Sequence, residues 1–566
     1  MFTVGIDLGT TASVVSYMEN GHPQVIKIDG NVTVPSVVNY GEENHVVGQQ
    51  AVYKSADSFS VFSIKNFMGT DEKFCGHTPS EISGHILSYL KRQTELKIGR
   101  KIDAAVITVP AHFSNAQRTA TKLAASLAGI KVLSLINEPT AAAIAFGLDS
   151  RKNGIFAVYD FGGGTFDFSI LRLSDGIFQV LATGGDNHLG GNDIDAQILE
   201  YNLKENGINE ISDSDKIKAR LVAKFLKENL RENNVAEKEI EIHRRLYKFS
   251  LSKNLLEQFS SNLLKKTFDI SEQVMEDAEL AADDLLGIVL VGGMTKLNLI
   301  KNFVKEHFQT EIIDTVNPDE AVSLGAAIHA NSITENNSSV FLIDVVPLTL
   351  GVETFGGLVD KIILRNTPIP TVERREYTTY ADNQTGMKFK VVQGESLLSD
   401  ECNILANFEL RGIPPMPAGR ARIIVEFSVD VNGLLNVTAF EKTTGIKQVV
   451  TVEASNNLSF EEMSQDLENA YKKKSENEEK AHLISLRLEM YRLVKFWKTI
   501  ISEIPKDAQT IASTKINSIE NHLRNENFDI NEVMKLRTET ENIFSAFLDE
   551  IINNHLCGKK LSEVRK

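Results

Sequence analysis

With 566 residues, 42% of them hydrophobic and 24% charged, the chain has room for about three or four domains of ordinary globular composition. Its net charge of −16 argues against nucleic acid as the main partner, because neutralising phosphates needs a basic surface. Three cysteines (Cys75, Cys402 and Cys557), far apart and without histidine-paired spacing, support neither a zinc site nor a disulfide framework and fit a reducing compartment. The opening FTVGIDLG lacks the basic start of a signal peptide, and no uncharged apolar stretch approaches the ~20 residues of a membrane span. A cytoplasmic chain with no membrane attachment is expected.

Taken in order, Val4–Tyr17 (VGIDLGTTASVVSY) runs apolar into Asp7, passes Gly9 and the Thr10–Thr11 pair, and resumes as a second strand. Ala104–Val109 (AAVITV) is a continuous apolar run closed by Pro110, as expected of a buried central strand. Asn115–Ala128 carries Ala, Leu and Lys/Arg at helical spacing and stops at Gly129. Val132–Ile136 reads as a short strand, after which Asn137-Glu138-Pro139-Thr140 opens an alanine-rich helix. Glu138 at that strand end either faces a cleft or caps the helix N-terminus, where a carboxylate meets the dipole.

The stretch Ala157–Leu171 (AVYDFGGGTFDFSIL) organises the rest. Gly162–Gly164 let the backbone turn tightly and approach a ligand without a Cβ in the way. Such a turn aims several N–H groups at one point and forms an anion-binding concavity. The flanking Asp160 and Asp167, with Thr165 between, make sense if a divalent cation sits between carboxylates and phosphate, as Mg²⁺ does. The alternative is a plain β-hairpin with a glycine turn. The stretch echoes the N-terminus: Asp7 matches Asp160, Gly9 matches Gly162, and Thr10–Thr11 sit where Gly163–Gly164 sit. A duplicated architecture with nucleotide between two lobes is expected. No P-loop signature and no GxGxxG after a strand occurs.

Thr183–Asp195 (TGGDNHLGGNDID) is glycine-rich and then helical, and Asp213–Asn234 and Leu251–Leu286 read as helices of mixed charge. Gly287–Met294 (GIVLVGGM) reads as a buried strand running into a Gly292–Gly293 turn, a second place where backbone would lie against a flat ligand such as adenosine. Asn317-Pro318-Asp319-Glu320 begins a helix closing near Ala330. Asn331–Ser339 is polar and is expected to be structureless, and Val340–Leu350 turns apolar around a buried-looking Asp344; the shift marks a domain boundary. Beyond it Met387, Phe389 and Val391, then Ile423, Val425, Phe427 and Val429, alternate with polar residues, and Asn432-Gly433 supplies a hairpin turn. This is an antiparallel sheet domain through about Ala454. From Leu458 the chain is helical and charged; the lysine run AYKKKSENEEKAH reads as a solvated helix face, and Leu483–Ile501 holds the only tryptophan, Trp497.

With IDLGTT, VITVPAHF, INEPTAAA, YDFGGGTFD, LVGGMTK, NPDEA and LIDVVPLTLG in this order, the chain resembles the DnaK-type heat-shock chaperones, the 70-kilodalton family, over nearly its whole length. Within that family it is most similar to the HscA branch, which serves iron–sulfur cluster assembly, on the residues ILRLSDGIFQVLATGGDNHLGG, ETFGGLVDKIILRNTPIP, LRGIPPMPAG and LLNVTAFEKTTG. The resemblance implies an α/β actin-like (ribonuclease H-like) ATPase domain over 1–338, an apolar linker over 339–350, an antiparallel β-sandwich peptide-binding domain over 351–455 and an α-helical lid over 456–566 without a disordered acidic tail. It implies ATP/ADP and Mg²⁺ as ligands, with no iron–sulfur cluster or zinc on this chain. The implied partners are a J-domain co-chaperone and an iron–sulfur scaffold or other client peptide, and the chain itself is expected to be monomeric.

Carried over residue by residue, Thr10 and Thr11 would contact β- and γ-phosphates, with the amides of Gly162–Gly164 closing round the phosphate chain. Asp7 and Asp160 would hold Mg²⁺ largely through its waters. Lys65, in FSIKNFMG, would set a point charge on the γ-phosphate and attacking water, although a lone lysine is more commonly a surface one. Glu138 and Asp167 would orient waters and Thr165 would touch the γ-phosphate, which suits phosphoryl transfer. The wider nucleotide set implied is Gly9, Gly190, Gly191, Lys224, Gly292, Gly293, Lys296 and Asp319. Peptide would meet Phe355 and Tyr380 as an arch and Met387, Phe389 and Ile423 as a pocket. Coupling would run from Pro110, Arg118 and Lys122 to Asp344.

Three departures stand out. The family grips adenine with charged side chains at i, i+3, i+4 and i+7 of a helix, and the placement Leu221, Lys224, Phe225 and Glu228 retains only the lysine. The arginine usual after VGGxT is Lys296, a poor substitute where planar stacking is used. A looser grip and fast ADP release are therefore expected. The segment between Gly69 and Ser83 is short, so one lobe should be trimmed, and Ser134 stands where the family has an arginine against the linker. Alternatives are a general folding chaperone and, on fold alone, an actin-like kinase or filament ATPase, against which the appended β domain argues.

Overall fold

In the first sheet, β1 (Thr3–Leu8) and β2 (Ala12–Glu19) form a hairpin through GTT, with β3 (His22–Val25) antiparallel to β2. Helix α1 (Pro79–Ile98), closed at its start by a Thr78/Glu81 capping box, precedes β4 (Ala104–Val109), all six residues of which are buried. Helix α2 (Asn115–Leu127), capped by Ser114, then leads to β5 (Val132–Asn137). The order β3-β2-β1-β4-β5 pairs β4 parallel to both β1 and β5.

Helix α3 (Glu138–Ser150) crosses to β6 (Gly154–Phe161), β7 (Phe166–Ser174) and β8 (Ile177–Asp186), a second antiparallel set. Helices α4 (Gly191–Glu205) and α5 (Asp213–Asn229), the hairpin of β9 (Val235–Ile242) and β10 (Arg245–Ser252), and α6 (Lys253–Asp277) follow. The sheet is completed by β11 (Gly287–Val291), which is parallel to β6 and is followed by helix α7 (Asn298–Phe308), and by β12 (Ile312–Ile313), parallel to β11. The run β8-β7-β6-β11-β12 thus repeats β3-β2-β1-β4-β5 in order and strand direction, the duplication that the two Asp-Gly hairpins predict.

Helix α8 (Ala321–Glu335) packs with α3 in a core that takes Val106 and Ile136 from one sheet and Val158, Val289 and Val291 from the other. Burying each such side chain contributes about 1.5–3 kcal/mol. Gly325 is what lets the two helices approach: a Cβ there would lie 1.7 Å from the Ala141 carbonyl oxygen.

The structure, a computed structural model, describes residues 1–41, 44–54, 59–150, 153–174, 176–313, 317–335, 341–451, 474–525 and 528–547. They fall into two units, the described parts of 1–351, 361–393 and 404–464, and those of 352–360, 394–403 and 465–566. In the first unit, β13 (Phe341–Val345) runs parallel to β8 and pairs β14 (Pro368–Ile369). Strands β15 (Thr371–Tyr377) and β16 (Gly386–Gln393) precede β17 (Asn403–Arg411), β18 (Ile423–Val429), β19 (Leu435–Glu441) and β20 (Lys447–Thr451). The order β15-β18-β19-β20 is an antiparallel sheet, and β18 and β19 meet at the Asn432-Gly433 turn, where Gly433 has φ 75°. In the second unit α9 (Lys474–Ile500), α10 (Lys506–Leu523) and α11 (Ile530–Ser545) share a core in which Met490, Val494 and Trp497 form an i, i+4, i+7 stripe and Trp497 stacks on Phe544.

Some boundaries differ from the sequence reading. The helix expected over Asp213–Asn234 ends at Asn229, that expected over Leu251–Leu286 spans Lys253–Asp277, and the hairpin β9–β10 lies between them unanticipated. Asn331–Glu335, expected to be structureless, is the last turn of α8, whose buried face continues through Ala330. Residues 336–340, the chain over 452–473, with the start of the lid and most of its lysine run, and everything after 547, with the acidic-tail expectation, lie outside the described residues. No described helix is long and apolar enough to cross a membrane.

Candidate functional site

The tips of the two duplicated hairpins face each other. A Cβ on Gly163 would lie 2.4 Å from Thr11 Cγ2, and one on Gly164 would lie 2.9 Å from Thr10 Cγ2. Only glycine fits there, and the pairing of Thr10–Thr11 with Gly163–Gly164 seen by sequence register becomes a contact in space. The second tip is pinned to the start of α4: Gly191 N donates to Gly162 O at 3.1 Å and Asn192 N to Gly163 O at 2.7 Å. Gly190, extended and tight against Gly163 and Gly164, makes that approach possible.

Around this gap stand five charged side chains: Lys65, Glu138, Asp160 and Asp167 are buried and Asp7 is half-buried. Asp7 ends β1 and accepts from Thr108 Oγ1 at 3.1 Å, while Asp160 and Asp167 are cross-strand partners on β6 and β7. Lys65 and Glu138 form a buried ion pair. His112 Nδ1 lies 3.4 Å from Asp167 Oδ1, and Asp167 Oδ2 and Asn66 Oδ1 are buried without a hydrogen-bond partner. Thr108, His112 and Asn66 belong to this cluster and were not singled out in sequence, although Thr108 and His112 lie in VITVPAHF and Asn66 follows Lys65 in FSIKNFMG.

Four carboxylates against one lysine leave excess negative charge in a dry place. Burial, and the proximity of Glu138, Asp167 and Asp7, push Asp160 well above the usual carboxylate range. Asp7 is raised by burial against the pull of Lys65 and Thr108, and burial raises Glu138 to about 7 despite Lys65. Such a set favours a proton or an added cation. Among the described residues no three His, Cys, Asp or Glu side chains converge to cage a metal ion. Mg²⁺ is ordinarily bound through one or two carboxylates, waters and phosphate oxygens. Asp7, Asp160 and the unpartnered Asp167 oxygen fit a hydrated Mg²⁺.

From the hairpin tips a cleft of about 470 Å³ runs between α4, α5 and the start of α7, lined by Thr11, Gly163, Gly191, Lys224, Gly293 and Met294 among others. Lys224, Lys227 and Glu228 of α5, and Arg231 just past its end, line it; of the expected adenine set Lys224 and Glu228 are among the lining residues and Leu221 and Phe225 are not. Phe225 instead packs under the Lys238 ammonium. Lys227 is buried, donating to Gly191 O at 2.7 Å and paired with Asp195 at 2.7 Å. Four charged side chains therefore line the cleft, where the expected set held two, Lys224 and Glu228. Lys296, after the Gly292–Gly293 turn, pairs with Asp319.

The expected coupling residues converge in the same unit, with Asn137 as the missing link. Arg118 donates to Asn137 Oδ1 at 2.7 Å and to the carbonyls of Ala111 and Phe113, both at 3.1 Å. Asn137 Nδ2 donates in turn to Asp344 Oδ2 at 2.8 Å. Arg118 reaches the Asn432 carbonyl at 3.3 Å, Leu135 N donates to Asn432 Oδ1 at 3.0 Å, and Leu435 N donates to Asn115 Oδ1 at 3.0 Å. Pro110 is buried at the end of β4, and Lys122 faces Asp430 rather than Asp344.

Of the peptide residues, Phe389 and Ile423 are buried, Phe389 stacked on Phe408, and Met387 is half-buried. Tyr380 is 70% exposed, and Phe355, in the second unit, is 66% exposed.

The family model described as Hsp70 protein matches residues 3–77 and 72–553. A Chaperone protein HscA homolog of Paracidovorax citrulli is 41% identical over 88% of this chain and 86% of its own length. That of Delftia acidovorans is 38% identical over 99% of this chain and 96% of its own, and the Chaperone protein HscA of Photorhabdus laumondii is 38% identical over 99% and 97%. Facing glycine–threonine hairpins, the buried carboxylate cluster and this full-length similarity lead to one conclusion: the chain belongs to the Hsp70 family of ATP-hydrolysing chaperones.

Proposed function

We propose that this chain is an HscA-like chaperone that binds short extended peptides under control of ATP hydrolysis and serves iron–sulfur cluster biogenesis on a scaffold protein, with a J-domain co-chaperone. The observation that carries the ATPase half is the meeting of the two hairpin tips beside the Asp7, Lys65, Glu138, Asp160 and Asp167 cluster. The iron–sulfur half is supported by the names its relatives carry. The reading keeps four parts: ATPase domain over 1–338, linker over 339–350, β-sandwich over 351–455 and lid over 456–566, working as a cytoplasmic monomer.

In this reading Gly9, Thr10, Thr11 and the amides of Gly162–Gly164 bind the β- and γ-phosphates. Asp7 and Asp160 hold Mg²⁺ through water, and the bound ion supplies charge neutralisation on the phosphate chain. Lys65, held by Glu138, sets a fixed positive charge at the γ-phosphate. Glu138 and Asp167 orient the attacking water and Thr165 meets the γ-phosphate, so the residues act by positioning and electrostatics rather than by covalent chemistry. Gly190, Gly191, Lys224, Gly292, Gly293, Lys296 and Asp319 hold the nucleoside. With Lys224, Lys227 and Glu228 on α5 and Arg231 just past it along the cleft, fast ADP release would rest on Lys296 alone.

Coupling is assigned to the Arg118–Asn137–Asp344 chain and its bonds to the Asn432-Gly433 turn. Asn137 and Glu138 are adjacent, so one strand end holds both the linker and the lysine of the phosphate site. Peptide is captured by Phe355, Tyr380, Met387, Phe389 and Ile423, main chain first and one side-chain pocket second.

Single-turnover ATP hydrolysis with and without a J-domain partner tests the reading. Stimulation by the partner and by short LPPVK-like scaffold peptides, above that by generic apolar peptides, is expected. Equal response to both peptide classes would move the chain to general folding, and no response to either would remove the chaperone cycle.

A further inference from the structure

Once the phosphate chain is assigned to Thr11 and Gly163, the far end of the cleft is left for the base, an assignment that rests on the nucleotide reading above. That end is walled by Met294 and Leu297, apolar and suited to a ring face, and by the charged side of α5. Lys227 is occupied by Asp195 and the Gly191 carbonyl. Glu228 and Arg231 are not. They lie three residues apart, Glu228 in the last turn of α5 and Arg231 just past its end at Asn229, yet among the described residues neither side chain has an ion-pair or side-chain hydrogen-bond partner. Arg231 Nε is buried with no acceptor at all. A desolvated donor without a partner is costly, and here it borders the cleft.

An arginine fork is donor-only and a carboxylate is acceptor-only. Adenine offers the fork one acceptor, N7, beside an amino donor, N6. Guanine offers two acceptors, N7 and O6, the most frequent bidentate match for arginine. Its N1–H and N2 amino donors lie on the adjoining edge, where a carboxylate three residues earlier in the chain can accept. We propose that this site takes guanine nucleotides as well as adenine ones, with Arg231 reading O6 and N7 and Glu228 reading N1 and N2.

Calorimetric titration of the full chain with ADP, GDP and inosine diphosphate in Mg²⁺ tests this. GDP is expected to bind within tenfold of ADP; a weaker GDP overturns the proposal while leaving the ATPase reading intact. Failure of both nucleotides to bind would instead remove the nucleotide site itself, and the proposal with it. Arg231→Gln should weaken GDP relative to ADP by about tenfold, and an equal loss for both would reassign Arg231 to generic packing. Inosine diphosphate keeps O6, N7 and N1–H but lacks the amino group, so it should retain full sensitivity to Arg231→Gln and show a smaller loss than GDP on Glu228→Gln. Inosine and guanine responding alike to Glu228→Gln would overturn the reading of N2 by Glu228.

Discussion

The two ends of the proposed nucleotide cleft are built on different principles. At the proposed phosphate end Lys65, Glu138, Asp160 and Asp167 are buried beside a half-buried Asp7, and the glycines of one hairpin meet the threonine side chains of the other with no room for a Cβ between them. At the proposed base end the charges of Lys224 and Glu228 on α5, and of Arg231 just past its end, are at least partly open to solvent. Charge fixed in a dry site acts strongly and tolerates little change, whereas exposed charge contributes less and is free to vary. The phosphate end is also wired to the rest of the chain. Glu138 holds Lys65, and its neighbour Asn137 holds Arg118 and Asp344.

The largest effect should come from breaking the buried pair. Lys65→Met leaves Glu138 without its cation, which should cost about 3–5 kcal/mol of stability in the nucleotide-free protein. Single-turnover hydrolysis should fall by roughly 100-fold or more, as when a preorganised electrostatic group is removed. The double variant Lys65→Met/Glu138→Gln should recover most of the stability but none of the hydrolysis. Recovery of both would show that the lysine only balances charge.

Next in size is the wiring. Asp344→Asn removes the linker charge facing Arg118, and Asn432→Ala removes the acceptor of Leu135 N. A coupling of about 1–3 kcal/mol corresponds to a peptide stimulation of about 5–150-fold, which Asp344→Asn should largely abolish. Base-end variants such as Glu228→Gln should change nucleotide affinity and leave the stimulation factor in place. If they abolish stimulation equally, the contrast between the two ends fails.

A smaller effect is expected at Lys296. Arginine there can lie flat on a ring where an ammonium cannot, so Lys296→Arg should slow ADP dissociation by about three- to tenfold, measured by stopped-flow chase. No slowing would mean that the pair with Asp319 holds this side chain off the base.

The paired hairpins were legible in sequence because each carries its aspartate, its glycine and its hydroxyls within about ten residues, and the second copy gave the register; Lys65, remote from both, came only with the resemblance. The shared strand order of the two sheets agrees with that duplication but was not itself read from the sequence. The base end was not legible to that depth. The set Lys224, Lys227, Glu228 and Arg231 is charged throughout where Leu221–Glu228 is not, but it runs past the end of α5 at Asn229, and its gathering on one cleft with α4 and the Gly293 turn needed the fold. In sequence Asn137 reads as a helix opening and Asn432 as a turn; Asn432 is in the turn, and Asn137 is the last residue of β5, just before α3. An asparagine's long-range hydrogen bond leaves no periodic trace, so their meeting through Arg118 needed the fold. The hairpin β9–β10 escaped because only Ala236, Ile240 and Ile242 of its first strand are buried, which gives too irregular a pattern for a strand.

A region outside both ends provides the mildest test of whether burial alone sets the behaviour of ionisable groups here. Tyr40, His45, His77 and His85 form one cluster beside the trimmed segment: His45 stacks on His85 at 3.9 Å, His77 stacks on Tyr40 at 4.5 Å, and Tyr40 Oη and His85 Nδ1 are 2.8 Å apart. Burial first, then His45 and His77, lower His85 to about 4, with Glu81 opposing; burial, His77 and Arg92 lower His45. Between about pH 4 and 6.5 the unfolded chain therefore binds a proton at position 85 that the folded chain refuses. Stability must fall as pH drops through that window and be fully present above it. The cluster is partly solvated, so the effect is modest. His85→Gln keeps a hydrogen-bonding partner for Tyr40 and removes the titration, so the difference in melting temperature between pH 7.5 and pH 5 should shrink. An unchanged difference would mean that the imidazole cluster accepts the proton in the folded state, and that proximity to solvent rather than burial governs this region.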